Sequence, residues 1–276
     1  ARVMGLAAHG DTLWVATLWQ LWRFENALAA GERKDGYDRW YVPQLAYTTG
    51  DIDIHDVAVD AAGEPVFVST LYSCVARPDP RVSFRPIWRP PFVSRYAAED
   101  RCHLNGLAMR DGQPAYATCV GRSDANEGWR EHRANGGLLL DIASGEIVCS
   151  GLSMPHSPRW YRDRLWLVNA GSGEFGCVDL ALGRFEAIAF CPGFLRGLAF
   201  VDGHAVVGLS MQRENRTFRD LALDAPEALE RVDEQSPVRF LRFDRRHDAI
   251  GLGSADGLGH IGSPVAGAVA GTLVPT

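Results

Sequence analysis

The sequence predicts an all-β protein, a β-propeller of four-stranded blades. A phrase of small and apolar residues, then a turn and a β-rich run, returns five times, about every 40 to 50 residues. The runs are rich in Val, Leu, Trp, Phe and Tyr, and Gly, Asp and Asn turns separate them, as expected for short strands. This period matches a propeller blade, which must stack on its neighbours to bury its faces.

The residue that opens the repeat, before its β-rich run, varies among Met, His and Arg. The pairs are Met4 with TLWVAT, His55 with PVFVST, His103 with PAYAT, His156 with RLWLVNA and Arg196 with AVVGLS. Residues 138–152 and 177–190 each read as two further strands around a turn. A blade therefore contains about four strands, as in known propellers.

The number of blades depends on the C-terminal part of the chain. Five repeats are visible, and residues 238–244 (VRFLRFD) read as a strand, so six blades are favoured with five as the alternative. We expect a single domain over residues 1–276, with 223–276 as an atypical last blade or the closing segment. Polar insertions at about 25–50 and 119–137 are expected to decorate one face.

Composition limits the partners. The chain has 276 residues and a formal net charge of −6, which argues against binding to nucleic acid or to an anionic membrane. Six cysteines are scattered singly, which favours buried thiols in a reducing compartment. Long apolar stretches and a leader pattern are lacking, so we expect a soluble cytoplasmic protein.

The residues that open the repeats are the candidate functional residues. The innermost strand of a blade begins near the central channel, so His55, His103, His156 and Arg196 should converge there. His55, His103 and His156 are candidate ligands for one divalent metal, with zinc favoured and iron or manganese if a carboxylate such as Asp53 is added. The alternative is that each histidine only ties neighbouring blades together.

Metal-free acid–base chemistry is a second interpretation of the same residues, with arginines holding a substrate carboxylate. The candidate catalytic residues are His103, His156, Arg196, Arg159 and Asp53. The candidate substrate-binding residues are Arg101, Asn105, Ser157, Trp129, Arg130 and Arg213. Inter-blade ion pairs are the alternative role for the arginines, and loop anchoring is the alternative for Trp129. Nucleophile-elbow, P-loop and dinucleotide motifs are lacking.

Four strings carry a family resemblance: TGDIDIHD (49–56), DRCHLNGLAM (100–109), GLSMPHSPRW (151–160) and PGFLRGLAF (192–200). They resemble a family of bacterial conserved hypothetical proteins of unknown function, which implies a β-propeller and no particular activity. The resemblance covers roughly residues 2–220, and the chain departs from the pattern after about residue 223. The Asn105-Gly106-Leu107 step is also loosely similar to the gluconolactonase and senescence-marker propellers, which use such a step beside a metal. Some propeller lyases that process peptide amides offer a geometric similarity, because they hold zinc with histidines from different blades.

These observations together favour an enzyme of the lyase, hydrolase or cyclase type. Its axial His/Arg pocket would act on a small carboxylate-bearing or peptide-like substrate by hydrolysis, elimination or cyclisation, assisted by a metal or a histidine. The alternative is a non-catalytic binding module whose rim loops take a peptide or protein partner.

Overall fold

Five four-stranded antiparallel sheets make up the described part of the chain. The structure is a computed structural model, and it describes residues 2–201, 203–210, 221–222, 238–243 and 250–253. Each sheet consists of four strands that follow one another in the sequence and pair with their sequence neighbours. This is the blade arrangement that the repeats predict.

Each blade takes its four strands from one continuous part of the chain. Blade 1 contains β1 (Val3–His9), β2 (Thr12–Thr17), β3 (Gln20–Asn26) and β4 (Tyr41–Thr48). Blade 2 contains β5 (Ile54–Val59), β6 (Pro65–Ser69), β7 (Cys74–Asp79) and β8 (Ser83–Trp88). Blade 3 contains β9 (Leu104–Arg110), β10 (Gln113–Cys119), β11 (Gly137–Asp141) and β12 (Ile147–Leu152). Blade 4 contains β13 (Pro155–Tyr161), β14 (Arg164–Asn169), β15 (Glu174–Asp179) and β16 (Arg184–Phe190). Blade 5 contains β17 (Phe194–Val201), β18 (His204–Ser210), β19 (Val238–Phe243) and β20 (Ile250–Gly253).

The first strands of successive blades pack against one another. Contacts join β1 to β5, β5 to β9, β9 to β13 and β13 to β17, so these five strands lie innermost. The protein is therefore an all-β propeller with four-stranded blades. The described residues form five sheets and not the six that the sequence favoured. Residues 238–243 and 250–253 complete blade 5, and the expectation of a sixth blade concerns residues outside the described ones.

Apolar side chains fill the spaces between blades. Val66 and Val68 of blade 2 pack with Leu104 and Leu107 of blade 3, and comparable clusters lie between other neighbouring blades. Because successive strand residues face opposite sides, blades 2 to 4, which have a described neighbour on each side, bury both of their faces. All six cysteines are free and buried, and burial raises the pKa of the Cys74 thiol to about 12. These thiols are core residues.

Every innermost strand has a register irregularity near its start. The irregularities fall between residues 3 and 5, 54 and 56, 104 and 106, 156 and 159, and 195 and 198. The residues inside them are Met4, His55, Asn105, Ser157 with Pro158, and Arg196 with Gly197. The bulges contain the repeat openers Met4, His55 and Arg196, whereas in blades 3 and 4 they follow the openers His103 and His156. A bulge re-aims side chains and often lies beside a functional site.

The two expected insertions differ in the structure. The stretch 25–50 is not one insertion, because residues 41–48 form strand β4 and leave a loop at 27–40. The stretch 119–137 joins β10 to β11 and contains a 3-10 helix, η1 (Gly128–His132). Within the described residues, no helix has the length and apolar character needed to span a bilayer.

Candidate functional site

Three histidines from three neighbouring blades meet where the innermost strands begin. The ring centroid of His55 lies 4.9 Å from that of His103 and 6.4 Å from that of His156. His156 is only 2% exposed, and the side chains of His55 and His103 are 6% and 10% exposed. We call these three residues the axial histidine cluster.

His103 belongs to a hydrogen-bonded group with Asp100 and Trp129. Its backbone has a left-handed φ of 50°, and that of Asp100 has a φ of 42°. His103 Nδ1 donates to Asp100 Oδ2 at 2.8 Å, and Trp129 Nε1 donates to the same oxygen at 2.8 Å. The Trp129 ring lies against the imidazole, with centroids 4.1 Å apart. Left-handed non-glycine residues store strain and cluster at functional sites.

His55 is held by Thr70 and Asp53. The Thr70 hydroxyl has one proton and donates it to the carbonyl of Leu104, so its oxygen accepts from His55 Nδ1 at 2.9 Å. Asp53 Oδ1 lies 3.2 Å from the same nitrogen. The proton of His55 is therefore on Nδ1, and Nε2 carries a lone pair.

A backbone carbonyl fixes the tautomer of His156, again with the proton on Nδ1. Its Nδ1 donates to the carbonyl of Met154 at 2.8 Å. Asn105 Nδ2 lies 3.4 Å from His156 Nε2, and Asn105 Oδ1 accepts from Thr118 Oγ1 at 2.8 Å. The lone pair of His156 is therefore in use, whereas within the described residues His55 and His103 engage no partner through Nε2.

Burial and charge determine the ionisation of the cluster. Burial lowers the pKa of His55 and, more strongly, that of His156, and the positive charge of Arg196 acts in the same direction. Burial opposes ionisation of Asp53, but the hydrogen bond from His55 and nearby positive charge outweigh it and lower the Asp53 pKa to about 2. At neutral pH the site therefore contains neutral imidazoles at His55 and His156, with a carboxylate at Asp53.

Arg196 lies in the bulge of β17, near the cluster. Its guanidinium carbon is 5.9 Å from the ring centroid of Phe194, and Phe194 contacts His156 with ring centroids 5.8 Å apart. The charge of Arg196 influences His55, His156 and Asp53. Among the described arginines that the sequence predicted for the site, Arg196 supplies a charge that acts on these three groups.

Arg159, which the sequence makes a candidate catalytic residue, has its guanidinium bound to groups of several blades. Its guanidinium makes two hydrogen bonds to Asp56, at 2.8 and 2.9 Å. It also donates to the carbonyls of Leu107, Leu198 and Pro158. Arg159 thus links blade 4 to blades 2, 3 and 5.

Arg101 and Arg130 also have partners that argue against a substrate-binding role. The Arg101 side chain is 7% exposed and pairs with Glu99 and Asp124. Arg130 pairs with Glu127 at 2.5 Å, and its guanidinium carbon lies 4.7 Å from the ring centroid of Trp129. Both pairs hold the 119–137 insertion, which brings Trp129 to His103.

The other predicted substrate-binding residues have varied positions. Asn105 and Trp129 are both buried, and they contact the cluster histidines His156 and His103 respectively. Ser157 is buried as well, with a φ of 49°, and its hydroxyl accepts from the backbone N–H of Gly197 at 3.1 Å. Arg213 lies outside the described residues.

Metal binding by the cluster has partial geometric support. Three imidazoles on one tetrahedral zinc, at Zn–N distances of about 2.0–2.1 Å, have ring centroids about 5 Å apart. The His55–His103 pair fits that separation, whereas His156 lies farther from His55 and its Nε2 faces Asn105. Among the described residues, no group of three or more His, Cys, Asp and Glu side chains is arranged as a metal site.

Three supporting residues were not among the predicted site residues. Asp100 and Thr70 anchor two of the histidines, and Thr118 anchors Asn105. The sequence contains a signal for the threonines, because both lie at the end of the second strand of their blade: Thr70 directly follows β6, and Thr118 is the penultimate residue of β10. The small polar residues at this point of the repeat are Thr17, Thr70, Thr118, Asn169 and Ser210.

Consecutive four-stranded blades around an axial polar cluster define a β-propeller protein. The chain belongs to the family described as Domain of unknown function (DUF4915), whose model matches residues 1–239. This confirms the sequence prediction of a propeller family of unknown function. Comparison with curated proteins gives no significant match.

Solved structures with similar folds include several kinds of propeller. A gluconolactonase candidate from a structural genomics programme aligns with a TM-score of 0.53 and 13% identity over 75% of this chain and 71% of that one. A virginiamycin B lyase from Staphylococcus aureus gives a TM-score of 0.46 and 10% identity over 75% and 77%. A chain of a nidogen/laminin complex gives 0.49 and 11% over 75% and 71%. At these identities the likeness concerns the fold alone.

Proposed function

We propose that the axial histidine cluster is the active site of an enzyme that acts on a small carboxylate-bearing molecule. The observation that carries the proposal is the His103–Asp100 pair, in which Nδ1 is anchored to a carboxylate and Nε2 has no protein partner among the described residues. His103 acts as the general acid and base. Arg196 binds the substrate carboxylate.

Hydrolysis, elimination and cyclisation each require one proton to be removed and one to be returned. His103 Nε2 accepts the proton from water or substrate, and Asp100 stabilises the imidazolium through its hydrogen bond to Nδ1. The face of Trp129 adds a cation–π contribution to the same charged form. Proton transfer by a positioned side chain typically contributes about 10²- to 10⁴-fold to the rate.

The alternative function is a binding module for a peptide or protein. The burial of the three imidazoles supports the small-molecule enzyme, because a protein partner would need them accessible from a wide surface. The Asp53 side chain, which is 35% exposed, marks the side from which the cluster is reached. A peptide-like substrate would therefore present one small terminal group to the cluster.

A metal-assisted version of the enzyme is a second candidate. It is favoured by one observation, that all three imidazoles have their Nδ1 protons fixed by oxygen acceptors, as metal-binding histidines do. His55, His103 and His156 would be the ligands of zinc, with Asp53 as a further ligand for iron or manganese, and His156 would have to release Asn105. Elemental analysis of protein purified without chelators tests it. Stoichiometric metal that is lost in His103→Gln supports this version, and metal-free protein contradicts it.

The enzyme itself is tested by incubating the purified protein with a panel of lactones, hydroxy acids and short peptides that carry a carboxylate. Mass spectrometry detects addition of water, loss of water or ammonia, and fragmentation. We expect turnover that falls at least about 100-fold in His103→Gln and stays unchanged in the exposed control His9→Gln. Arg196→Gln should mainly raise KM. Turnover that survives in His103→Gln, or carboxylates that bind and never react, would contradict the proposal.

A further inference from the structure

Trp129 shares a single carboxylate oxygen with the candidate general base. Trp129 Nε1 and His103 Nδ1 both donate to Asp100 Oδ2 at 2.8 Å. The other oxygen, Asp100 Oδ1, is buried and has no hydrogen-bond partner in the described part of the chain. All the donors that hold this carboxylate therefore lie on one side of it.

We propose that Trp129 is a positioning residue that sets the tautomer of His103 through Asp100. This deepens the proposed function, on which it rests, by naming what keeps the lone pair of His103 on Nε2. An indole N–H can only donate, so it holds Oδ2 as an acceptor facing His103. With Oδ2 held in this way, the imidazole keeps its proton on Nδ1.

Loss of the indole donor would leave Asp100 with one hydrogen bond and a buried, unpartnered oxygen. A buried polar group without its partner is costly, so the carboxylate would rotate and Oδ2 would move away from His103 Nδ1. Without this acceptor at Nδ1, the imidazole loses its preference for a proton there, and the tautomer with the proton on Nε2 becomes populated. His103 would no longer be able to accept a proton from the side of the axis.

The insertion that contains Trp129 is built to hold the indole in place. The backbone N–H of Glu127 donates to the carbonyl of Glu99 at 2.9 Å, and Asp124 pairs with the buried Arg101. Gly128 is packed so closely that a Cβ there would lie 2.2 Å from Ser123 Oγ. Trp129 is 1% exposed. The indole is thus fixed before any ligand arrives.

Trp129→Phe separates positioning from simple packing, because phenylalanine keeps an aromatic ring against His103 but lacks the N–H. The readout is the tautomer of each histidine in ¹⁵N-labelled full-length protein, from long-range ¹H–¹⁵N spectra. We expect the fraction of His103 with its proton on Nε2 to rise at least about tenfold, which corresponds to about 1.4 kcal/mol. His55 and His156 should keep their tautomers, and the exposed control Trp19→Phe should match the wild type.

An unchanged His103 tautomer in Trp129→Phe, or equal shifts of all three histidines, would overturn the proposal. If Trp129→Phe does not fold, Asp100→Asn with Trp129 intact gives the answer. If the indole orients residue 100, the amide oxygen of Asn keeps facing His103, and His103 keeps its proton on Nδ1. A His103 proton on Nε2 in this variant would overturn the proposal. These spectra need no substrate, so the positioning role and the enzymatic function fail independently.

Discussion

Two polar groups lie close together on the propeller axis, and they differ in how completely their hydrogen bonds are used. The Asp56–Arg159 pair, which we call the axial tie, uses its guanidinium on both oxygens of Asp56 and on three carbonyls. The axial histidine cluster leaves Nε2 of His55 and His103 without a protein partner among the described residues. A saturated group is built for structure, whereas an unsaturated one is available to a ligand.

Backbone conformation shows the same difference between the two groups. Residues with left-handed φ surround the cluster: Asp53, Asp100, His103, Met154 and Ser157. Neither Asp56 nor Arg159 has a positive φ. Such strain costs about 1–3 kcal/mol per residue, so it is retained only where surrounding structure enforces it. The backbone around the cluster therefore lowers the stability of the folded protein.

The axial tie also borders a cavity. A cavity of about 560 Å³ is lined by apolar residues from all five described blades, among them Leu6, Met109 and Phe200. Arg159 belongs to its lining, which explains why 26% of the Arg159 side chain stays exposed while Asp56 is nearly buried. The tie thus lies between this cavity and the start of the innermost strands.

The largest expected effect comes from breaking the axial tie. Arg159→Met leaves the Asp56 carboxylate buried without its partner, and we expect a loss of about 3 to 5 kcal/mol of unfolding free energy. Urea denaturation followed by circular dichroism measures it. The matched control is Arg184→Met, which removes an exposed pair with Glu186 and should cost less than about 1 kcal/mol.

A second variant shows whether the charge is the cause. Asp56→Leu in the Arg159→Met background removes the unpaired charge, so much of the lost stability should return. Equal stability losses in Arg159→Met and Arg184→Met would mean that the axial tie contributes nothing beyond a surface pair. The distinction between a structural axial tie and a histidine cluster available to a ligand would then have no support.

The next effect is a pH dependence that comes from the cluster. Burial lowers the pKa of His55 and His156 in the folded protein below the usual value of 6.5. The unfolded chain therefore binds more protons below that pH, so stability is complete above about pH 6.5 and falls as the pH drops. Between about pH 7.5 and 5.5 the loss should reach up to about 1.4 kcal/mol for each histidine.

Denaturation curves at both pH values test this, with the double variant His55→Gln/His156→Gln as comparison. We expect the pH dependence over this range to weaken in the double variant and to persist in the exposed control His9→Gln. Asp53 contributes at lower pH, because its folded pKa of about 2 lies below its usual 3.8. Its share of stability is present above about pH 3.8 and is lost as the pH falls toward 2. A flat profile between the two pH values would mean that the imidazoles are not shielded from water.

Much of the fold and part of the cluster could be predicted from the sequence. The repeat period gives the blades, and the equivalent positions of His55, His103 and His156 give their convergence, because repeats place equivalent residues equivalently. The partner of Arg159 could not be predicted, since Asp56 lies 103 residues away and the pairing depends on how blades 2 and 4 face the axis. The Trp129–Asp100 bond likewise depends on the path of an insertion with no repeat to compare. The strand predicted at 238–244 is present as β19, but its place in blade 5 could not be predicted, because the sequence does not show that it pairs with β18.

The smallest expected effect concerns the support beneath the cluster. Thr70 is fully buried and joins His55 Nδ1 to the carbonyl of Leu104. Thr70→Val keeps the shape but removes the hydroxyl, which should cost about 1 to 2 kcal/mol, well below the loss from breaking the axial tie. Because Asp53 Oδ1 also accepts from His55 Nδ1, the imidazole should keep its tautomer in ¹⁵N spectra. Thr70→Ser, which retains the hydroxyl, serves as control. A loss as large as that of Arg159→Met would show that the cluster, too, is a structural tie, and a change of tautomer would show that Thr70 rather than Asp53 orients His55.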